Sequence, residues 1–147
     1  MSEPDLTTHV ARFADLDAAT LYALLRLRVD VFVVEQECPY PELDGRDTDP
    51  GTWHLWQAGE AGPVGYLRIV MDPDGTPRIG RVCTAAAARG RGLAARLMTR
   101  ALATVGDGPS VLDAQSYLVD FYRGFGFRAT GPEYLDDGIP HVPMRRD

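Results

Sequence analysis

Glycine and arginine alternate in a short run, RGRGLA at residues 89–94, directly before an apolar helical pattern. The first turn of a helix presents backbone N–H groups without intrahelical partners, together with the positive end of the helix dipole. Glycines let an anion approach the backbone, and the guanidinium groups of Arg89 and Arg91 can form bidentate hydrogen bonds with its oxygens. The run therefore predicts an anion site that suits a phosphate.

Two other uses of the glycine–arginine run are disfavoured. Gly90, Gly92 and Ala95 satisfy the dinucleotide-binding pattern G-x-G-x-x-A, and Asp113 could bind a ribose. However, five residues (85–89) separate the preceding strand from Gly90, and only 34 residues follow Asp113, too few for a doubly wound sheet. Nucleic-acid binding is disfavoured because the pI is about 5.0 and no aromatic residue stands between positions 66 and 117.

Periodicity predicts the elements that must position these residues. A strand at 9–14 precedes a helix that is capped by Asp15 or Asp17 and runs to about residue 33. The proline-rich segment 38–52 is a loop, and strands follow at 53–59, 62–72 and 78–84. A helix follows at 93–105 with a left-handed cap at Gly106, then a strand at 110–115 and a short helix at 117–124. A final strand pair at 127–134 and 139–146 completes a mixed α/β (α+β) sheet with helices on its faces.

The charges are unevenly distributed along the 147 residues. The net charge is −6 and all 15 basic residues are arginine, six of them between Asp74 and Asp107, where no acid occurs. Seven acids lie between residues 30 and 49. This division could serve one anionic and one cationic ligand, or it could reflect solvated faces.

The remaining composition predicts one domain, residues 1–147, in the cytoplasm. The polar start MSEPDLTTHV lacks a leader pattern, and no apolar run is long enough to span a membrane. Cys38 and Cys83 have no metal-ligand spacing and no other cysteine to form a framework, so we expect reduced thiols and no metal.

Two motifs in the correct order resemble the GNAT superfamily of acyl-CoA N-acyltransferases. Arg89, Gly92 and Ala94 fill the defined positions of its pyrophosphate signature Q/R-x-x-G-x-G/A, and FYRGFGF resembles its later tyrosine motif. Within the superfamily, FVVEQECPY, DGRD and DGIPH resemble the ElaA-like subgroup. The order of strands and helices also fits, so the resemblance covers nearly the whole chain.

The resemblance implies a mostly antiparallel sheet that splays between its fourth and fifth strands, and an N-acetyltransferase that moves acetyl from acetyl-CoA to a primary amine by direct attack in a ternary complex. It assigns the pyrophosphate to residues 89–94 (Arg89, Gly90, Arg91, Gly92, Leu93 and Ala94) and the pantetheine to the strand edge at Val82, Cys83 and Thr84. The Cys83 N–H is the expected oxyanion donor.

In the same reading Tyr122 contacts the cofactor and protonates or hydrogen-bonds the leaving sulfur, and Glu35, near the end of the first long helix, acts as base. His54 and His141 are rivals for the role of base, and all three are candidate acceptor-site residues. Each residue has a structural alternative: a core-edge aromatic for Tyr122, a surface or capping carboxylate for Glu35, and a structural role for each histidine. We expect a cationic amine as the acceptor, no nucleic-acid or membrane partner, and a chain that can form a homodimer. The alternative on the same fold is a noncatalytic acyl-CoA-binding or regulatory module.

Overall fold

A computed structural model describes residues 6–147, and the first five residues of the polar start lie outside this range. Eight strands and three α-helices follow one another along the chain: β1 Thr8–Arg12, α1 Ala18–Val29, β2 Trp53–Gly59, β3 Gly62–Met71, β4 Pro77–Thr84, α2 Leu93–Val105, β5 Ser110–Gln115, α3 Val119–Arg123, β6 Arg128–Ala129, β7 Tyr134–Asp136 and β8 Ile139–Arg146. A π-helical segment, Asp30–Glu35, extends α1. None of the helices in residues 6–147 has the length and apolarity needed to cross a membrane.

The eight strands form one sheet in the order β1-β2-β3-β4-β5-β8-β6, with β7 paired to β8. All pairings are antiparallel except that of β4 with β5, which is parallel and is recorded at a single position, Arg78 opposite Val111. Beyond that position the two strands diverge. The predicted mixed sheet, splayed between its fourth and fifth strands, is confirmed.

Helices cover both faces of this sheet. On one face, Leu24 and Leu27 of α1 and Val31 of its extension pack on Tyr66 of β3 and Cys83 of β4. A larger cluster joins Leu97 and Met98 of α2, and Tyr122 of α3, to the other core residues of the sheet. Successive side chains of a strand point to opposite faces, so Tyr66 and Leu67 of β3 can contribute to different clusters.

Helix α1 begins where one of its two candidate caps predicts. The Asp17 carboxylate accepts a hydrogen bond from the Thr20 N–H at 2.7 Å, so Asp17, not Asp15, is the N-cap. The regular helix ends at Val29, earlier than the expected residue 33, and the wider π-helical turns continue to Glu35. Helix α2 has the expected bounds, but Gly106 has φ 80° and ψ −155°, which is not the left-handed helical cap that was expected.

The expected strand at 127–134 is broken in two. Only Arg128–Ala129 and Tyr134–Asp136 pair with β8, because Gly131 and Pro132 interrupt the run and proline cannot donate to a ladder. A two-residue turn then joins β7 to β8, with positive φ at both Asp137 (48°) and Gly138 (80°). This Asp-Gly turn has the handedness of a type I′ hairpin.

Candidate active site

The divergence of β4 and β5 opens a cleft of about 710 Å³. Eight of the residues singled out in the sequence line it: Glu35, Val82, Cys83, Thr84, Arg89, Ala94, Tyr122 and His141. They come from the end of the α1 extension, from β4, from the β4–α2 loop, from the first turn of α2, from α3 and from β8. The fold therefore brings the β4 residues, Arg89, Ala94, the tyrosine and the expected base to one cleft, whereas the other expected cofactor residues, Gly90, Arg91, Gly92 and Leu93, do not line it.

The edge of β4 that faces the cleft is shaped by a bulge. Tyr66 pairs with Cys83 and Arg68 with Gly80, so Arg81 and Val82 together stand opposite Leu67. Arg81 has φ 53°, a conformation that non-glycine residues rarely adopt. Bulges of this kind redirect a strand and are frequent beside active sites.

Backbone groups alternate along an antiparallel strand, pointing first to one neighbour and then to the other. The Ala85 N–H donates to the Val64 carbonyl at 2.7 Å, so Cys83, two residues earlier, also directs its backbone groups towards β3. Those of Val82 and Thr84 face the cleft. This geometry argues against Cys83 as the oxyanion donor and makes the Val82 N–H the candidate.

The side chain of Cys83 is buried, and burial raises the pKa of its thiol to about 12. A thiol with this pKa stays protonated at neutral pH and is a poor nucleophile. Cys38 is also buried and unpaired, and its Sγ lies 3.5 Å from the Asp137 carbonyl. Within residues 6–147 there is no group of three or more His, Cys, Asp or Glu side chains placed to hold a metal ion.

The β4–α2 loop has the open backbone that an anion site requires. Gly90 and Gly92 have φ values of 82° and 72°, and a Cβ atom at either position would meet no heavy atom within 4 Å. Gly92 is the N-cap of α2 and has no side chain to cap the first N–H groups of the helix. Arg91 is exposed, whereas the Leu93 side chain is buried in the core and anchors the helix. The loop residues therefore fit a pyrophosphate, with Leu93 contributing its backbone.

Tyr122 lies in the wall of the cleft and is 5% exposed. Its ring packs edge-on against Phe121 and Phe127, with centroids 5.0 and 6.4 Å apart. Burial raises the pKa of the phenol far above its usual value of 10. The hydroxyl is therefore protonated throughout the neutral range and can act as a hydrogen-bond donor.

Glu35, the expected base, forms an ion pair with a residue of the expected cofactor loop. Its Oε2 lies 2.5 Å from Nη2 of Arg89, and both side chains are about half exposed. Arg89 also donates from Nε to the Thr84 carbonyl at 3.1 Å. The sequence placed Glu35 and Arg89 in different roles and did not anticipate their contact.

The two histidines have different environments. His54 is 1% exposed, does not line the cleft, and uses both ring nitrogens: Nδ1 lies 2.6 Å from the Tyr66 hydroxyl and Nε2 lies 3.0 Å from the Asp47 carbonyl. Burial also lowers its pKa, so the ring is neutral. The expectation that the fold brings His54 to the cleft is therefore wrong. His141 does line it, with Nδ1 2.8 Å from the Ile139 carbonyl and its ring stacked on Tyr134.

A buried ionic network beneath the cleft was missed in the sequence. Arg28 contacts Glu42 at 2.7 Å and Asp47 at 2.8 Å. Arg68 contacts Asp44 and Asp47, and Arg81, at the bulge, contacts Glu42 at 2.9 Å. Three of the seven acids between residues 30 and 49 therefore form ion pairs with arginines inside the protein. One signal was available: Arg28 shares the helical stripe of Leu21, Leu24 and Leu25, and an arginine on an apolar face needs buried acidic partners.

Comparison with known proteins now identifies the family. Residues 28–147 match the family model described as an acetyltransferase (GNAT) domain. The chain belongs to the GNAT family. It is 55% identical over 136 residues to a UPF0039 protein of Mycobacterium tuberculosis, covering 90% of this chain and 87% of that protein. It is also 41% identical over 142 residues to the protein ElaA of Escherichia coli, covering 91% and 92% of the two chains. These matches confirm the ElaA-like subgroup.

Solved GNAT structures agree with this assignment. The crystal structure of an acyl-CoA N-acyltransferase from Pseudomonas aeruginosa superposes with a TM-score of 0.91 at 43% identity, covering 97% of this chain and 100% of that one. This GNAT protein is accordingly an acyltransferase, and acyl-CoA is the donor class that the family uses. The open glycine loop and the unpaired edge of β4 are the features of this chain that fit such a donor.

Proposed function

We propose that this protein transfers an acetyl group from acetyl-CoA to a primary amine by direct attack in a ternary complex. The observation that carries the proposal is one cleft that joins the free edge of β4, Arg89 and Ala94 at the two ends of the glycine loop, the buried phenol of Tyr122 and the carboxylate of Glu35. A donor strand edge and an anion site on one side, with a proton donor and a proton acceptor beside them, are what aminolysis of a thioester requires.

Each group of the cleft has one task in this scheme. The Val82 carbonyl and the backbone N–H and carbonyl of Thr84 pair with the amides of the pantetheine as an added strand would. The N–H groups at the start of α2, with Arg89 and Arg91, bind the pyrophosphate. The Val82 N–H then donates to the carbonyl oxygen that gains negative charge as the amine attacks.

Glu35 accepts the proton that the amine must lose, directly or through one water. An alkylamine with a pKa near 10.4 is almost entirely protonated at neutral pH, so a proton acceptor at the cleft is needed. His141, which lines the same cleft, is the rival.

Tyr122 stabilises the leaving thiolate by hydrogen bonding. Its raised pKa lies above that of an ordinary thiol, near 8.5, so complete proton transfer from the phenol would be uphill. A hydrogen bond to a charged group contributes about 1.5–3 kcal/mol, or roughly 10- to 150-fold in rate. This is a smaller effect than the roughly 10²–10⁴ expected of a full general acid.

The structure changes the argument for a cationic acceptor. The acids at 42, 44 and 47 are neutralised by arginines, so the support now comes from Asp136 and Asp137, which line the cleft. Arg46 also lines it and donates to the Met71 carbonyl at 2.8 Å. Because a guanidinium at the cleft can bind a carboxylate of the acceptor, the acceptor panel should include primary amines with and without a carboxylate.

The test is release of free thiol from acetyl-CoA across this panel, with the wild type, Tyr122→Phe and Tyr22→Phe. Tyr22 is 72% exposed on α1 and does not line the cleft, so its variant controls for loss of a hydroxyl. We expect Tyr122→Phe to reduce kcat about 10- to 100-fold while the Kd for acetyl-CoA changes less than about threefold. A wild-type rate in Tyr122→Phe would remove its role, and tight CoA binding without turnover of any amine would indicate the noncatalytic module.

A further inference from the structure

Arg89 connects two functions that the proposed mechanism assigns to separate residues. Its guanidinium donates from Nη2 to Glu35 Oε2 at 2.5 Å and from Nε to the Thr84 carbonyl at 3.1 Å. In the proposed function, Glu35 must accept a proton and the Thr84 carbonyl must pair with the pantetheine. One side chain thus donates to both acceptors.

We propose that Arg89 is a positioning residue that couples donor binding to release of the base. A pyrophosphate at the glycine loop offers several anionic oxygens in place of one carboxylate, and a guanidinium binds such a group in bidentate fashion. Movement of Arg89 to the pyrophosphate frees the Glu35 carboxylate for the amine and the Thr84 carbonyl for the pantetheine. This inference rests on the proposed function, because it assumes that Arg89 is a pyrophosphate ligand.

The Arg89–Glu35 ion pair is partly exposed, so Arg89 can exchange the Glu35 carboxylate for a pyrophosphate. The side chains of Arg89 and Glu35 are 45% and 40% exposed, and ion pairs of this type are only weakly stabilising. The buried pairs of Arg28 differ in this respect, since neither partner there can separate without leaving a charge in the protein interior. The Arg89–Glu35 pair therefore links a residue of the glycine loop directly to the candidate base through a contact that can break at small cost.

The segment that carries Glu35 is held in place by contacts that do not involve Arg89. The side-chain amides of Gln36 and Gln115 face each other with two reciprocal N···O distances of 3.4 Å, which link the segment to β5. Cys38 contacts the Asp137 carbonyl in the β7–β8 turn. Glu37, with φ 51°, ends the π-helical turns and donates its N–H to the Val34 carbonyl. We therefore expect the guanidinium to move while the carboxylate remains at the cleft.

Competition for Arg89 has a measurable consequence. If Glu35 and the pyrophosphate bind the same guanidinium, the apparent affinity for CoA is reduced by the fraction of molecules in which Arg89 is paired. Removal of the carboxylate charge in Glu35→Gln should therefore tighten CoA binding. An exposed ion pair of typical strength corresponds to a decrease in Kd of about two- to fivefold.

Calorimetric titration with CoA tests this on four variants of the full chain: Glu35→Gln, Arg89→Met, the double variant, and Glu37→Gln as the matched control. Methionine is used at position 89 because glutamine also satisfies the pyrophosphate signature. Glu37 is exposed two residues from Glu35, so its variant changes the net charge equally without breaking the pair. We expect Glu35→Gln to lower the Kd about two- to fivefold, Glu37→Gln to leave it within error, and the gain to vanish in the Arg89→Met background. S-acetylpantetheine, which lacks the pyrophosphate, should show a smaller gain than CoA.

The outcomes distinguish a failure of the Arg89–Glu35 coupling from a failure of the pyrophosphate site. If Arg89→Met weakens CoA binding but Glu35→Gln does not tighten it, the coupling is refuted while the pyrophosphate site stands. Equal gains in Glu35→Gln and Glu37→Gln would reduce the effect to net charge and would also refute the coupling. If Arg89→Met binds CoA as the wild type does, the assignment of Arg89 to the pyrophosphate in the proposed function fails, and the coupling fails with it.

Discussion

Replacement of Arg28 by methionine should destabilise this protein far more than the same change two residues away. The Arg28 side chain is 1% exposed and donates to the Glu42 carboxylate at 2.7 Å, the Asp47 carboxylate at 2.8 Å and the Glu42 carbonyl at 3.3 Å. Methionine has a similar helix propensity and no charge, so the change removes the bonds while α1 remains favourable. The experiment therefore isolates the buried network.

The size of the effect follows from what remains after the substitution. Removal of one partner of a buried ion pair costs about 3–5 kcal/mol when it leaves the other charge unpaired. Here Glu42 keeps Arg81 at 2.9 Å and Asp47 keeps Arg68 at 3.1 Å, so neither carboxylate is left alone. We therefore expect a loss near the lower end, about 3 kcal/mol, which for a domain of this size lowers Tm by roughly 6–12 °C.

Urea and thermal denaturation of Arg28→Met and Arg26→Met provide the measurement. Arg26 lies on the same helix, is 76% exposed and has only a 3.9 Å contact with Asp30, so its variant should change stability by less than about 0.5 kcal/mol. Adding Glu42→Gln to Arg28→Met should recover part of the loss, because it removes the unbalanced negative charge. A cost below about 1 kcal/mol for Arg28→Met, or one equal to that of Arg26→Met, would refute this reasoning.

Three further predictions concern pH, the backbone and the thiol. Hydrogen bonds from Arg68 lower the pKa of Asp44 well below its usual value of 3.8, so the ionised Asp44 stabilises the fold above pH ~4 and this stabilisation is lost as the pH falls towards the lowered pKa. The difference in unfolding free energy between wild type and Asp44→Asn should therefore be widest at pH 7 and should narrow below pH ~4. A difference that stays constant with pH would contradict this. Gly92→Ala places a Cβ at φ 72° with no neighbouring heavy atom within 4 Å, so its cost comes from backbone strain and not from a clash. Denaturation should show that the free energy of unfolding falls by about 1 kcal/mol. Gly108 has no such φ, so Gly108→Ala should leave the free energy of unfolding unchanged. Because burial raises the pKa of the Cys83 thiol to about 12, a thiol reagent at pH 8 should modify it only after unfolding, and rapid labelling of the native protein at Cys83 would contradict its burial.

Local patterns predicted the elements well where one physical signal dominated. Helix α2 has its expected bounds, 93–105, because its apolar stripe is continuous and a glycine stands at each end. The strand expected at 127–134 was mispredicted because Gly131 and Pro132 limit pairing, whereas the last strand has its expected bounds, 139–146. The wider turns after Val29 do not change the hydrophobic period enough to be read from the sequence. The splay between β4 and β5 entered the prediction through the family resemblance, since no local pattern encodes where two strands part.

The candidate site shows the same division. Arg89, Gly92, Ala94 and Tyr122 belong to contiguous motifs, and local sequence is sufficient to mark them. His54 was misplaced because a strand periodicity gives the alternation of faces but not which face meets the cleft. The candidate oxyanion donor changed from the Cys83 N–H to the Val82 N–H for a similar reason: the direction of a backbone N–H depends on the register with β3.

By itself, the sequence determined the glycine loop, the helix that follows it, the tyrosine motif and the order of the strands, because each depends on residues close together in the chain. Only the tertiary structure decided which charges meet. Arg28 and Glu42 are 14 residues apart, Arg81 and Glu42 are 39 apart, and Glu35 and Arg89 are 54 apart. Ion pairing depends on distance in space and on burial, neither of which is encoded in local spacing. Three of the seven acids in the acidic segment therefore pair with arginines inside the protein and support the cleft, although the segment resembled a binding surface in the sequence.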